Sequence, residues 1–397
     1  MHRGQSSLTP AFGLVQAVYW MGFCAAVCFA VVHLQGLGYS YTEIGLVMAL
    51  GNVLGALAGP VLASAAEKHP QLATDRWNLP LFALRALALL ALLLLPGRDL
   101  LTSAAYVLYM ATAIAVNALN LKFCVDAENR ALHLDYGVGR SAGSLAFVVL
   151  SAGMGVAVAA GGIAVLPWIG FALLALQVAA NALIGRQLRR APVQRTARED
   201  RPQPTSLFRF LLSQPRYAVF LLGSIILFFA HNASTNFMLN IVQNVGGSTA
   251  EMGYLNAFMA AAEIPVMLLF SRFLRGKRVS TLLRASVAVF ALKTAAIALA
   301  PNLPLLFAAH ILQAFSFALY TCAVVPYVSR VIPAQNAAKA QSLAFSTTTL
   351  GAVLASLIAG RLYDVCSVQQ TMLAALAACA VGVAVALLGT VRTQKET

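Results

Sequence analysis

The side chains most able to do chemistry in this sequence are charged residues inside long apolar stretches. Glu263 stands in YLNAFMAAAEIPVMLLF, and Lys293 stands in VAVFALKTAAIAL. A charged side chain at the centre of a bilayer costs at least about 2.5 kcal/mol, so it is retained mainly where it faces water or a partner. The Glu263 carboxylate therefore predicts a group that binds a polar solute, carries a proton, or does both. Two roles stay open for Lys293, which either neutralises Glu263 or lines a hydrophilic cavity directly.

Two further apolar stretches carry polar side chains at helical spacing. AAHILQAFSFALYTC places His310 and Gln313 three residues apart, on one face of a helix. FFAHNASTNFMLN repeats asparagine every four residues, at Asn232, Asn236 and Asn240. Such a stripe in a membrane helix faces other helices or water, so it predicts part of a hydrophilic path.

A third stretch, DAENRALHLDYGVGRSAGSLAF from Asp126, combines charge, glycine and an aromatic residue. Arg140 has three alternatives: it pairs with Asp126, donates a fork of hydrogen bonds to a solute, or simply marks the cytoplasmic end of a helix. Phe147 lies two turns beyond Arg140 on nearly the same face, where it either stacks on a ring or packs against the core. Arg85 lies about two turns inside its apolar stretch, and we expect it to extend to the cytoplasmic surface.

These residues require membrane-spanning helices to position them. The chain has 397 residues, of which 60% are hydrophobic and 10% charged. A run of about 20 apolar residues is long enough to cross the hydrocarbon layer as a helix. The sequence predicts an all-α polytopic membrane protein with twelve such helices, near 12–35, 41–64, 78–96, 100–123, 138–162, 164–186, 216–240, 249–272, 279–300, 303–329, 338–361 and 368–391.

The basic residues predict how these helices are oriented. With the N-terminus inside the cell, the outer loops contain only Arg98 and Arg361, and nearly all other Lys and Arg residues lie in inner loops. This asymmetry predicts that both termini are cytoplasmic in the cell inner membrane. The net charge of +14 therefore reflects topology, and we expect no nucleic-acid partner. The basic, proline-containing segment 187–215 is predicted to link two six-helix bundles, 1–186 and 216–397.

The two predicted bundles repeat each other. Glu43-Ile44-Gly45 aligns without a gap on Glu251-Met252-Gly253, and GSLAF at Gly143 matches QSLAF at Gln341. Parallel repeats of this kind are typical of transporters that hold their substrate near the membrane midplane. The position equivalent to Glu263 is Gly55, so the carboxylate is not part of the shared scaffold.

Several classes of protein are disfavoured by motifs that the sequence lacks. It contains no phosphate-binding glycine loop, no HExxH and no GxSxG, and its six cysteines form no CxxC pair. We therefore predict neither an enzyme nor a nucleotide-driven pump, and no cofactor or metal.

Twelve helices in two repeated halves with a basic central segment resemble the major facilitator superfamily. Within it, HLQGLGYSYTEIGLVMALG at His33 and LDYGVGRSAGSLAF at Leu134 are similar to the lactose-permease relatives, which include oligosaccharide and nucleoside proton symporters and phenylpropionate-permease-like proteins. The resemblance covers nearly the whole chain. It implies a secondary transporter, monomeric as is usual in that family.

The resemblance also implies roles for individual residues. It places Arg140 on the family's sugar-binding arginine and Phe147 on the aromatic residue that stacks on the sugar ring. It places Glu263 on the essential carboxylate of helix eight, Lys293 on a basic residue of helix nine, and Asp126, more loosely, on an acidic partner at the end of helix four.

The sequence departs from this family pattern where protons are coupled. The helix-ten position of the family's coupling glutamate is Ser316. An aspartate–lysine pair of helices seven and eleven is also absent, replaced by Asn232 or its neighbour on helix seven and by Thr348 on helix eleven. Both members of that pair are missing, so neither charge is left without its partner. If transport is coupled to protons, Glu263 and His310 are the groups left to carry them.

Together these observations predict a transporter that moves a small hydroxylated solute by alternating access, with proton symport as the expected coupling. The solute would be a sugar, an oligosaccharide or a nucleoside. Two alternatives are efflux of amphipathic compounds and a membrane sensor that binds without transporting.

Overall fold

The computed structural model describes residues 7–69, 72–95, 97–192 and 207–393, and it confirms the all-α fold. In this part of the chain twelve helices are long and apolar enough to cross a membrane. The first six are α1 Thr9–Cys28, α2 Tyr41–Lys68, α3 Thr74–Leu94, α4 Leu100–Glu128, α5 Tyr136–Gly161 and α6 Val165–Arg189. The other six are α7 Pro215–Thr235, α8 Thr249–Leu274, α9 Val279–Ala298, α10 Leu303–Val331, α11 Ala334–Val365 and α12 Val368–Gly389.

Two of these helices contain a widened turn, and three short helices flank the spans. A π-helical turn occupies Cys24–Cys28 at the end of α1, and a second occupies Ala314–Ala318 inside α10. π-turns of this kind are frequent at functional sites. The short helices are Ala30–Gly36, Leu207–Ser213 and Met238–Asn244.

The helix predicted over 216–240 is interrupted. It ends at Thr235, and a new short helix begins at Met238. Asn240 therefore belongs to a different helix from Asn232, and the predicted continuous asparagine stripe is wrong. The backbone departs from helical geometry at Phe237, where φ is −109° and ψ is 34°.

The chain forms two compact units, Met1–Glu199 and Asp200–Thr397, and we describe each by itself. Within the segment 187–215, α6 continues to Arg189 and the helix Leu207–Ser213 follows later. Residues 193–206 of the predicted linker lie outside the described residues.

In the N-terminal unit (α1–α6), α2 packs closely on α4 because small residues recur along α2. Gly51, Gly55 and Gly59 are spaced by four, and a Cβ built on Gly55 would lie 2.6 Å from the side chain of Ile114 and 2.9 Å from the carbonyl oxygen of Ala111. Small residues at this spacing let two membrane helices approach closely.

In the C-terminal unit (α7–α12), α7 and α12 are in closest contact. A Cβ on Gly223 would lie 2.2 Å from the backbone nitrogen of Ala386, and one on Gly389 would lie 2.2 Å from that of Phe220. Backbone atoms thus meet directly at both positions, which holds α7 in a fixed place beside α12.

Matched caps begin the second helix of each unit. Ser40 and Glu43 form a capping box at α2, and Ser248 and Glu251 form the same box at α8. The repeated glutamates are therefore helix-capping residues. In the connection before α4, the backbone N–H of Thr102 donates to Asp99 and holds the pKa of that carboxyl below its usual value.

Candidate functional site

A chain of polar side chains crosses four helices of the C-terminal unit. The Nε2 of Gln313 on α10 donates to Oε1 of Glu263 on α8 over 2.7 Å, and Nζ of Lys293 on α9 donates to Oε1 of Gln313 over 2.6 Å. Nζ of Lys293 also lies 3.0 Å from Nδ1 of His231 on α7. We call these four residues the polar chain.

The polar chain is largely removed from solvent. Lys293 is 1% exposed, Gln313 2% and His231 6%, whereas Glu263 is half-buried. A buried ammonium needs acceptors, and Lys293 finds two, one on Gln313 and one on His231. Glu263 is the member of the chain with the greatest exposure.

Gln313 links the two charged residues that the sequence singled out. Its amide oxygen accepts from the ammonium and its amide N–H donates to the carboxylate, which determines how the amide is oriented. The neutral amide of Gln313 thus connects Lys293 to Glu263 through two hydrogen bonds. Both roles predicted for Lys293 remain compatible with this arrangement.

His231 joins the site in place of Asn232, the neighbouring residue that the sequence predicted to bind substrate. The His231 ring stacks on Phe317 at 5.2 Å between centroids and meets the edge of Phe290 at 5.6 Å. Beside the donating ammonium, Nδ1 is the acceptor, which corresponds to the neutral tautomer with its proton on Nε2. The sequence contained a signal for this role, because a histidine stands in an apolar helix directly before Asn232.

The other residues predicted on these helices make separate contacts. His310 is fully buried, its Nδ1 lies 2.7 Å from the carbonyl oxygen of Leu306, and its Nε2 has no partner among the described residues. Asn232 donates to the carbonyl of Phe228, and Asn236 donates to Ser356 on α11. None of the three is hydrogen-bonded to the polar chain within the described part of the protein.

In the N-terminal unit, Arg140 on α5 lies over the indole of Trp20 on α1. Its guanidinium carbon is 4.0 Å from the ring centroid, and its Nη1 donates to Ser144 over 3.0 Å. The indole N–H donates to Oε1 of Gln16 over 3.3 Å. A cation held on an aromatic face is favourable and leaves the edge of the guanidinium able to donate. Phe147 is half-buried on the same helix.

Asp126 has partners other than Arg140. Its carboxylate accepts from Thr74 over 2.5 Å and from Lys122 over 2.6 Å. Lys122 lies one turn earlier on α4, so it reaches the carboxylate within the same helix. The alternative in which Arg140 pairs with Asp126 is wrong.

The prediction that Arg85 extends to the surface is also wrong. Arg85 is 3% exposed, and its Nη2 and Nη1 donate to the carbonyl of Thr112 over 2.7 Å and to Oε1 of Gln177 over 2.5 Å. Acceptors on α4 and α6 hold it inside the unit, and they lie too far along the sequence to be recognised from α3 alone.

A family model described as the MFS_1 like family matches residues 15–374. The chain belongs to this family. It is therefore a transporter of the major facilitator superfamily (MFS), which confirms the resemblance drawn from the sequence, and it is a multi-pass membrane protein.

Solved MFS structures have the same fold as this transporter. The nucleoside transporter NupG has a TM-score of 0.76 at 15% identity, covering 97% of this chain and 98% of NupG. The POT family transporter PepTSo has a TM-score of 0.72 at 11% identity, with 96% of each chain covered. A bacterial homologue of the lysosomal transporter Spinster has a TM-score of 0.66 at 14% identity, with 97% of each covered.

One curated relative matches part of the MFS transporter. A protein of Deinococcus radiodurans named "Putative sugar efflux transporter" is 32% identical over 130 residues. The match covers 33% of this chain and 33% of the relative. It spans only a third of each protein, so the relative's activity enters below as support for a proposal.

Proposed function

We propose that this MFS transporter moves a small hydroxylated solute (a sugar, oligosaccharide or nucleoside) across the cell inner membrane by alternating access. The observation that carries the proposal is the polar chain from Glu263 to His231 inside the C-terminal unit. Hydroxyl groups both donate and accept hydrogen bonds. In the polar chain the carboxylate is an acceptor and the ammonium is a donor, so both partners of a hydroxyl group are present. The names of the Deinococcus relative and of NupG support this class of solute.

Within this proposal Glu263 accepts hydrogen bonds from solute hydroxyls because it is the exposed end of the polar chain. Gln313 and Lys293 hold the carboxylate in place and maintain its charge. In the N-terminal unit, Arg140 donates to the solute while Trp20 keeps its guanidinium oriented. Phe147, half-buried on α5, is the proposed stacking surface for a ring.

Proton coupling is proposed to use Glu263. A carboxylate that exchanges its proton as solute binds would link the flux of protons to the flux of solute. Gln313 can keep its place, because its amide N–H donates to the carboxyl group of Glu263 in either protonation state. His310, buried with one nitrogen unpartnered in the described residues, is the second proposed carrier. The name of the Deinococcus relative favours a second candidate function, export of a sugar.

The test is flux in proteoliposomes. Purified protein is reconstituted, a pH gradient is imposed in either direction, and labelled sugars and nucleosides are followed for wild type and Glu263→Gln. The matched control is Glu128→Gln, which removes an exposed carboxylate at the end of α4. We expect gradient-driven flux in wild type and the control, and a loss of at least tenfold in Glu263→Gln.

The outcomes separate the candidates. Uptake of solute into the vesicle that is driven by an inward proton gradient supports symport. Movement of solute out of the vesicle while protons flow inward supports export. Equilibration that ignores the gradient would contradict proton coupling and leave a uniporter. If no sugar or nucleoside moves but amphipathic dyes do, the hydroxylated-solute proposal is wrong.

A further inference from the structure

Arg85 on α3 and Gln177 on α6 lie in the N-terminal unit, and the proposed function leaves both unused. We propose that these two residues bind an anionic group, such as a carboxylate, a phosphate or a halide ion. The group belongs either to the transported solute or to a free inorganic anion. The first source rests on the proposed function; the second does not.

Arg85 is a buried cation whose described hydrogen-bond partners carry no negative charge. Arg85 is 3% exposed, yet its hydrogen-bond partners, Thr112 and Gln177, are both neutral. The titratable side chains that bear on its charge are the phenols of Tyr19 and Tyr109. A buried cation is normally paired with an anion, because desolvation otherwise disfavours its charge. Among the described residues the protein supplies Arg85 with no carboxylate.

Arg85 and Gln177 have more N–H donors than the described acceptors around them use. The guanidinium has five N–H groups and makes three hydrogen bonds, so two N–H groups are left over. Gln177 is 3% exposed, and its Nε2 has no partner in the described structure. Its orientation is determined, since Oε1 accepts from Arg85. Unpaired buried donors beside a cation are complementary to an anion.

A second unpaired amide of the N-terminal unit lies on α1. Gln16 is 1% exposed, its Oε1 accepts from Trp20, and its Nε2 has no partner among the described residues. Tyr19, one turn further along α1, is close enough to Arg85 and Arg140 to interact with both charges. α1 therefore contributes an unpaired amide and a phenol to the same unit as Arg85 and Gln177.

Gly22 on α1 lies beside Arg85 and Gln177. A Cβ built on Gly22 would have only two side-chain atoms within 4 Å, Nη1 of Arg85 and Oε1 of Gln177, both at 3.9 Å. The α1 backbone therefore leaves a small gap beside the guanidinium. A methyl group there would touch both residues and occupy the room that a ligand atom needs.

The internal repeat places Arg85 at the position equivalent to Lys293. Glu43 and Glu251 are 208 positions apart, and so are Arg85 and Lys293. Both buried cations donate to a glutamine oxygen, but Lys293 reaches Glu263 through its glutamine. The position equivalent to Glu263 is Gly55, which is closed by Ala111 and Ile114. The N-terminal unit thus repeats the cation without the carboxylate, and a bound anion would supply the missing charge.

The experiment measures binding to the full-length protein in detergent at constant ionic strength. Isothermal titration is run with sodium glucuronate, with glucose as its neutral counterpart, and with inorganic phosphate and chloride. The variants are Arg85→Gln and Gly22→Ala, and the control is Arg76→Gln, an exposed arginine on the same helix. Gly22→Ala keeps the charge, so it tests the site even if Arg85→Gln does not fold.

We expect at least one anion to bind wild type and Arg76→Gln with dissociation constants equal within twofold. Binding should weaken at least tenfold in Arg85→Gln and at least fivefold in Gly22→Ala. Glucuronate binding without phosphate or chloride binding assigns the anion to the solute, and binding of phosphate or chloride assigns a free anion. Either result supports the site.

The proposal is overturned if no anion binds, as when water alone fills the gap, or if binding is the same in all variants. This failure is distinct from failure of the proposed function. Neutral sugars that cross vesicle membranes with no anion bound would leave the transport proposal intact. Anion binding that depends on Arg85, in a protein that moves no sugar or nucleoside, would leave only the anion site.

Discussion

At the scale of single residues, Gln313 determines how the charges of the C-terminal unit coexist. Its amide is the only group of the polar chain that touches both Lys293 and Glu263 through hydrogen bonds described in the structure. It supplies an acceptor to one charge and a donor to the other. A side chain that cannot do both would leave a charged group without a hydrogen-bond partner, and a buried group without a partner destabilises the folded state.

We expect Gln313→Leu to lower the free energy of unfolding by about 2 kcal/mol, because the buried Lys293 ammonium loses one of its two acceptors. Flux should fall together with stability. Unfolding in mixed micelles, followed by circular dichroism, measures the change. Gln369→Leu, at an exposed position in the first turn of α12, is the control and should stay within about 0.5 kcal/mol. Equal stability of the two variants would contradict a bridging role for Gln313.

The position of the Trp20 side chain depends on a single glycine. A Cβ on Gly143 would lie 2.5 Å from Cδ1 of Trp20 and 3.1 Å from the carbonyl oxygen of Gln16. Gly143→Ala should therefore displace the indole from Arg140 and destabilise the protein by about 1–3 kcal/mol through overpacking. Tryptophan fluorescence and thermal unfolding would report both effects.

Gly153, on the same helix, is a matched control. A Cβ there would meet nothing within 4 Å. Gly153→Ala should leave stability unchanged or raise it by up to about 1 kcal/mol, because alanine is the better helix former. If Gly143→Ala behaves like Gly153→Ala, Trp20 does not depend on close packing of α1 against α5.

At the scale of elements, the ends and interruptions of the helices position the site. The capping boxes start α2 and α8 at equivalent residues, which sets the register of Glu263 twelve residues after Glu251 on the same helix. On α7, the break after Thr235 separates Asn236 from Asn240. On α10, the π-turn begins immediately after Gln313 and contains Phe317, the aromatic residue that stacks on His231.

We predict that Ser248→Ala destabilises the C-terminal unit by about 1 kcal/mol, since α8 loses the hydroxyl that caps its first backbone N–H groups. Ser40→Ala should cost a similar amount at α2, because the cap there has the same form. Hydrogen exchange of the first turn of each helix locates the effect. Ser248→Asp, which keeps a capping oxygen, is the control and should restore most of the loss. A change spread evenly over α8 would contradict local capping.

At the scale of the whole molecule, the distribution of basic residues predicts which loops are cytoplasmic. The Gly97–Asp99 connection, where Arg98 pairs with Glu43 at 3.0 Å, is predicted to face outward. The connection between α8 and α9, which contains Lys277, is predicted to face inward.

A labelling experiment tests this orientation. In a variant whose six cysteines are replaced, a membrane-impermeant maleimide applied to intact cells should label Gly97→Cys and not Lys277→Cys. Permeabilised cells, in which both positions should react, are the control. The reverse pattern would overturn the predicted orientation of both termini.

The sequence by itself determined the number of helices, their approximate ends and the family. The helices and their ends follow from local physics: a run of apolar residues must form a helix in lipid to satisfy its backbone, and serine three residues before glutamate caps a helix. The family followed from the resemblance of the repeated halves and their motifs. Charged residues in apolar runs, such as Glu263 and Lys293, were also evident, because their cost in a membrane depends mainly on the immediate surroundings.

Only the tertiary structure decided which of these residues meet. The partners of Lys293 come from α7 and α10, those of Arg85 from α4 and α6, and the Asp126 carboxylate is taken by Lys122. A side chain's partner depends on the rotation of each helix about its axis, and one residue changes that direction by about 100°. Hydrophobic length constrains a helix along the membrane normal but leaves this rotation to packing.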